Sequence, residues 1–395
     1  MHNYTFLNLG MHPLANSYLK KKELKKKEKK YKLQVSFNKK NSLVKVISKF
    51  SSKTMFNNQY PYRSSMSQTM LKSFSKLALG LKKMNNDKIL EIGSNDGAFS
   101  FNFDKKKIIC VEPCGNLAKI TKKKGYKTYN EYWNFALSKK IYRHHGKINL
   151  IFSSNTISHI ENLNDVFKSI NYILDKNGIL IIEDPSLMEC LKKNTYDQFY
   201  NEHIYVFSFT SLNNILKKHD LVIFNIENIS THGGSIRYYI KKKANKFLKI
   251  NNNILKQVKE ERKIKITNIQ TYINFAKRVK KSKIEFTKII NDLKSKNIKI
   301  LGYGATAKSC TVLNFCKIND KQIEYFIDTT PEKQNKYTPG THIPIIKKIN
   351  NINPSKTVFY LGAWNFLKEI KRKEKNFLKK GGQFLIHTPY PKLIR

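Results

Sequence analysis

Short apolar runs bounded by polar or turn-forming residues recur through the middle of the chain and alternate with amphipathic stretches. Such runs predict strands buried in a parallel sheet with helices on its faces. In KILEIGSNDGAFSFNFDKKKIICVEP, residues 88–113, Ile89, Leu90 and Ile92 form one strand and Gly93 and Gly97 turn the chain. A short helix should follow, then a strand from Ile108 to Val111 that ends on Glu112. Residues 64–84 predict an amphipathic helix leading in. Downstream come a strand Leu150–Ser153, a helix Asn164–Leu174, a turn Asp175–Gly178 and a strand Ile179–Ile182 ending at Glu183. A helix Ser211–Lys218 and strands Leu221–Ile226 and Ser235–Ile240 complete a doubly wound α/β sheet.

The flanks read differently. Residues 1–60 are polar, with weak strand signals at Lys32–Phe37 and Ser42–Ile47. Residues 241–297 have helical periodicity, many charges and no Gly or Pro, which predicts a long helical connector. A second α/β unit follows: strand Lys299–Leu301, the loop GYGATAKS, a helix to Phe315, and a strand Ile323–Ile327 ending at Asp328. The expected domains are therefore 1–62, 63–240 and 241–395.

Composition narrows the picture. A chain of 395 residues is too long for one compact core. No run of 18 apolar residues occurs, and the first residues lack a charged segment followed by an apolar core, so a soluble cytoplasmic protein acting as a monomer, without a membrane partner, is expected. Cys110, Cys114, Cys190, Cys310 and Cys316 show no C-x-x-C spacing and read as reduced thiols. The net charge of +47 would suggest nucleic acid, but only seven of the 75 basic residues are Arg, the side chain suited to base and phosphate recognition. Spread lysines amid abundant Asn and Ile point instead to a solvated surface, with nucleic acid as the second choice of partner.

The loop spacing separates two nucleotide-binding classes. A dinucleotide site would read G-x-G-x-x-G, whereas this loop reads E-x-G-x-N-x-G. It resembles motif I of class I S-adenosylmethionine-dependent methyltransferases, with Glu91 leading, Gly93, Asn95 and Gly97 in the loop, and Glu112 placed to take both ribose hydroxyls. Side chains at Gly93 and Gly97 would obstruct a ligand approaching the backbone. In the second unit Gly302 and Gly304 form only part of a dinucleotide fingerprint, since Ala307 stands in the third glycine's place. The other chemistry-bearing cluster is Tyr200-Asn201-Glu202-His203, a phenol, a carboxylate and an imidazole. An imidazole can take a proton near neutral pH, a carboxylate can fix its tautomer, and a phenol can donate to an enolate oxygen. His159, in SSNTISHI, falls at the same rim.

Taken in order, ILEIGSNDG, ICVEP, SNTISH, FYNEHIYVFS, HGGSIRYY, GYGATAKSCTVLN, DTTPEKQNKYTPGTHIPI and AWNFLKEI resemble the nucleotide-sugar C-methyltransferases of deoxysugar biosynthesis across nearly the whole chain. The resemblance implies a small zinc-binding N-terminal domain, a methyltransferase domain and a C-terminal Rossmann-like domain around the sugar nucleotide. It implies His203 as the base, supported by Glu202, with Tyr200, Tyr62 and His159 holding the enolate. Asn155 would join the cofactor set, and His232, Gly233, Ser235, Arg237 and Lys308 would face the substrate. The chain departs from the family at Asn201, where a His is usual, and at the zinc site. One C-x-x-C pair would lie before the first residue, and the other aligns with Asn38 and Asn41, poor ligands beside thiolates, so no zinc is expected. A methyltransferase for another small acceptor, a nucleic-acid methyltransferase and a non-catalytic binder stay open. The Asn/Asp-Pro-Pro-Tyr/Phe motif of the nucleic-acid enzymes is absent, its position reading SNTISH.

Overall fold

The computed structural model describes residues 3–47, 50–84, 87–347 and 352–395. Its centre is a seven-stranded sheet in the order Leu221–Ile229, Ser235–Lys242, Leu174–Pro185, Ile148–Ser154, Ile89–Ile92, Ile108–Val111, Lys127–Tyr129. Ser235–Lys242 is antiparallel to both neighbours, and the other strands share one direction. Ile89–Ile92 and Ile108–Val111 are buried at every position, as strands covered on both faces must be. The strand order reverses beside Ile89–Ile92, which leaves a crevice at the carboxyl ends of that strand and Ile148–Ser154. The second unit has the order Ile345–Ile346, Phe326–Ile327, Lys299–Tyr303, Thr357–Leu361, Gln383–Ile386, Lys392–Ile394, parallel except for the last strand. It has its own reversal beside Lys299–Tyr303. The α/β class is as expected.

Four local readings change. The strand Asn3–His12 escapes the period-two pattern because its pairing with Tyr31–Asn38 slips twice, between Thr5 and Leu7 and between Asn8 and Gly10. The short helix after the glycine loop is a single 3₁₀ turn, Ser100–Asn102. Asp175–Gly178 lies within the strand Leu174–Pro185, at a register shift against Ile148–Ser154. The connector is two helices, Asn253–Lys263 and Ile269–Ser295, broken where Lys265 takes φ +53° and the Asn268 side chain caps the second.

That second helix is part of a shared core. It buries Tyr272, Phe275, Val279, Phe286 and Ile290 along one face. Tyr272 stacks on Phe37 of the N-terminal sheet at 4.3 Å, and Phe286 lies 5.3 Å from Tyr360 of the C-terminal sheet. The N-terminal sheet is antiparallel, and its last strand, Tyr205–Val206, directly follows the Tyr-Asn-Glu-His turn.

Asn38 and Asn41 organise the turn between two of its strands. Asn38 Oδ1 accepts from the backbone N of Lys40 and Asn41, its amide donates to Asn3 at 2.7 Å, and Asn41 Oδ1 accepts from Leu43 N. Among the described residues no group of three or more His, Cys, Asp or Glu is placed to hold a metal ion. Asn38→Ala should lower stability by about 1 kcal/mol through lost turn hydrogen bonds, read from urea midpoints, while a chelator leaves the melting temperature unchanged. One zinc per chain by elemental analysis would overturn this account of the hairpin.

Candidate active site

Both strand-order reversals face one cavity of about 1020 Å³. Its wall includes Gly93, Glu112 and Asn155 from the central sheet, Gly304, Asp328 and Ala363 from the C-terminal sheet, and Asn16 with residues of the 52–67 segment. Ligand pockets usually run to roughly 300–1,000 Å³, so this one stands at the large end.

At the Glu112 end, the carboxylate accepts Asn95 N on Oε2 and Cys114 N on Oε1, each at 2.8 Å. One lone pair on each oxygen is left for a ligand. Asn95, at φ +50°, lends its side chain to the 62–65 segment: Oδ1 accepts Ser64 N and Nδ2 donates to Tyr62 O. Asn155, also at φ +50°, lines the cavity, and its Oδ1 has no partner. The glycines turn the chain as expected, at φ +75° and +86°, and neighbouring side chains add a second reason. A Cβ on Gly93 would lie 2.0 Å from Thr156 Oγ1 and one on Gly97 2.4 Å from the Phe101 ring, so protein side chains exclude it. Gly97 is not on the cavity wall.

At the centre stand Tyr200 and His203. His203 Nδ1 lies 2.9 Å from Gln198 O, and since a carbonyl only accepts, that nitrogen carries the proton. Nε2 then accepts the Tyr200 hydroxyl at 2.6 Å. His159 stacks between Phe56 and His203 at 5.4 and 5.1 Å. The Nε2 atoms of His159 and His232 are buried without partners. Desolvation lowers both imidazoles to about 3, and it holds His203 well below its ordinary value with help from His159, Lys308 and His232. All three are therefore neutral. Desolvation also pushes the Tyr62 hydroxyl, on the same wall, up to about 12, so it remains a donor.

Glu202 does not touch His203. Its Oε1 accepts Asn16 Nδ2 at 2.7 Å and its Oε2 accepts the Tyr60 hydroxyl at 2.8 Å, so the carboxylate braces the wall while a backbone carbonyl orients His203. Asn16 and Tyr60 escape the sequence reading, although QYPYRSS holds Tyr60 two places before Tyr62. Asn201 is buried away from the cavity.

Several expected residues stand behind the wall. Glu91 turns inward, where its carboxyl takes the Ser100 hydroxyl. Arg237 closes a buried ion pair with Glu183 at 2.8 Å and reaches Glu227 at 2.7 Å. The Ser235 hydroxyl donates to Thr231 O, and Gly233 lies against the Trp364 ring. These three shape the loop that presents His232. Lys308 does line the cavity, 7% exposed and with no ion pair among the described residues.

Comparison with known proteins gives this geometry a family. Residues 62–225 match the family model of a methyltransferase domain, and residues 230–389 match that of the C-methyltransferase C-terminal domain. Side by side, the two matches run through most of the chain. The chain is an S-adenosylmethionine-dependent methyltransferase. The C-methyltransferase NovU of Streptomyces niveus is 28% identical over 310 residues, 78% of this chain and 74% of that protein. Solved structures with a similar methyltransferase unit include an S-adenosylmethionine-dependent methyltransferase from Clostridium acetobutylicum, 15% identical over 44% of this chain and 92% of that one, TM-score 0.35. Another is the magnesium protoporphyrin IX methyltransferase of Synechocystis, 11% identical over 44% of this chain and 79% of that one, TM-score 0.33.

Burial raises the Glu202 carboxyl from 4.5 to about 7, against hydrogen bonds from Tyr60 and Asn16 that lower it. Between those two values the folded C-methyltransferase keeps a proton that the unfolded chain has lost, so stability falls as pH rises through that window. The fall is about 3 kcal/mol at roughly 1.4 kcal/mol per pH unit. The buried imidazoles of His159, His203 and His232 act in the opposite sense in both proteins, so the change in urea midpoint from pH 5 to pH 8 should be less favourable in the wild type than in Glu202→Gln. An equal change in both would show that Glu202 holds no such proton.

Proposed function

We propose that the enzyme methylates the carbon beside the ketone of a nucleoside-diphosphate keto-deoxysugar after His203 removes that carbon's proton. The observation that carries this reading is the Tyr200–His203 pair on the cavity wall, its tautomer set by Gln198 O. Methylation of oxygen or nitrogen needs no group able to take a proton from carbon; methylation beside a ketone does. The Streptomyces relative is itself named a C-methyltransferase, in keeping with this reading.

When bound, S-adenosylmethionine supplies an electrophilic methyl group. The residues at the Glu112 end fit it: the carboxylate is aimed by two backbone N–H groups and keeps a lone pair on each oxygen for a ribose diol. Gly93, Asn95 and Asn155 line the same end, and the free Asn155 Oδ1 suits a ligand donor. On the substrate side, the Tyr200 hydroxyl occupies the His203 Nε2 lone pair until a ketone oxygen competes for its proton. Once Tyr200 donates to that oxygen, Nε2 is free to accept the proton of the neighbouring carbon. Tyr62, held protonated, and His159, with its free Nε2, are placed to donate to the enolate oxygen as charge develops.

Lys308 supports a substrate with a diphosphate. Burial pushes the Lys308 amine down and the charge of Asp197 pushes it back up, so in the first turn of the helix Ala307–Cys316 an arriving anion would favour its charged form. Its charge is one of the causes that hold His203 low. A diphosphate paired with Lys308 would offset that charge and make His203 a stronger base when substrate is present.

Two substitutions test the assignment. Glu112→Ala should weaken S-adenosylhomocysteine binding by about 1–3 kcal/mol in calorimetry, and unchanged affinity would remove Glu112 from the ribose. His203→Asn should bind both ligands yet lose about 100-fold or more in turnover, together with solvent deuterium exchange at the substrate carbon. Exchange at the wild-type rate would transfer the base role to His159. A binding screen of nucleoside-diphosphate 4-keto sugars with S-adenosylhomocysteine present tests the substrate class.

A further inference from the structure

The residue before Gln198 is a fully buried aspartate that touches no ligand-facing surface. Asp197 Oδ2 accepts the Trp364 indole N–H at 2.6 Å and His387 Nε2 at 3.1 Å. Both donors come from the C-terminal unit, and neither lines the cavity. Burial pushes this carboxyl up, but His387, Lys308 and Trp364 outweigh it and hold the group below its ordinary value, so it stays ionised. Beside it Thr388 Oγ1 donates to Lys193 O at 2.7 Å, a second stitch between the same two segments.

Gln198 makes two bonds to the catalytic wall. Its carbonyl accepts His203 Nδ1, and its side-chain amide donates to His232 O at 2.7 Å. The Trp364 ring also packs on Gly233, next to His232. The tautomer of the base and the placement of His232 therefore both pass through the residue that Asp197 anchors. We propose that Asp197, gripped by Trp364 and His387, is a positioning residue that keeps the Gln198 carbonyl on His203 Nδ1 and leaves Nε2 free as the base. The C-terminal unit thus sets the chemistry of a histidine it does not touch. The proposal rests on the reading of His203 as the base, but its readout does not require turnover.

The test uses the full chain and nitrogen NMR of the histidine rings. Wild type should show His203 with a protonated Nδ1 and an unprotonated Nε2. Trp364→Phe keeps the ring against Gly233 and removes one N–H. It should give a mixture of His203 tautomers and about a tenfold lower kcat, with S-adenosylhomocysteine affinity within about twofold of wild type. Asp197→Ala should do the same more strongly, whereas Asp197→Asn, whose amide oxygen can accept both N–H groups, should keep the wild-type tautomer. A folded Trp364→Phe with a lower melting temperature but unchanged tautomer and kcat would overturn the proposal and leave Asp197 a structural anchor. If Asp197→Ala does not fold, Trp364→Phe and Asp197→Asn decide the matter. If His203→Asn keeps its exchange, the base assignment fails, and the tautomer comparison still reports whether Asp197 controls that ring.

Discussion

The turn that carries Tyr200, Glu202 and His203 has little regular structure of its own, and its shape is imposed by what grips it. On one side Val46 N donates to Ile204 O at 2.8 Å, and Val44 pairs with Val206, so the N-terminal sheet takes the turn's exit as its last strand. On another, Asn16 and Tyr60 take both oxygens of Glu202. On the third, Trp364 and His387 hold Asp197 at the turn's entrance. Buried polar groups outside helix or sheet must each find such a partner or lose several kcal/mol. The three parts of the chain are thereby bound to one turn, and the helix Ile269–Ser295 supplies the apolar core that keeps the outer two in place.

Lys308 lies among three neutral imidazoles, and the carboxylates nearest it on the wall have partners: Glu112 has backbone N–H groups, Glu202 has Asn16 and Tyr60, and Asp328 has Lys333. Burial disfavours the Lys308 ammonium, the charge of Asp197 behind the wall offsets part of that cost, and an arriving anion would offset more. The large surface charge says nothing about this, because exposed lysines are screened by salt within about 10 Å. Substrate charge acts where Lys308 is buried on the cavity wall.

The central sheet was legible because strands buried on both faces appear as unbroken apolar runs, and Glu112 because an acid follows one of them. The turn at residues 200–203 stood out because three reactive side chains fall within four residues. Other features depend on contacts between distant residues. Glu202 reads as a partner of His203 from adjacency, but its partners lie 186 and 142 positions away. Glu91 sits in a strand, where neighbouring side chains face opposite ways, and no pattern in four residues reveals that it points to the core. The glycines of the loop turn the chain as read, and Thr156 and Phe101 also crowd the space a side chain would need, which no local pattern shows.

The two α/β units repeat one device with a single change. Glu112 accepts the loop N–H of Asn95 and that of Cys114, two residues on; Asp328 accepts Ala305 N at 2.9 Å and Thr330 N at 2.8 Å in the same relation. Asp328 Oδ2 has also taken the Lys333 ammonium, at 3.1 Å. Each carboxylate oxygen has two lone pairs. Glu112 thus keeps a free site on both oxygens, whereas Asp328 keeps one on Oδ1 alone. A ribose diol needs two acceptor sites side by side, which only the Glu112 end supplies. That difference supports placing the cofactor there, and it gives a physical reason why the partial glycine fingerprint of the second unit does not imply a second adenosine site.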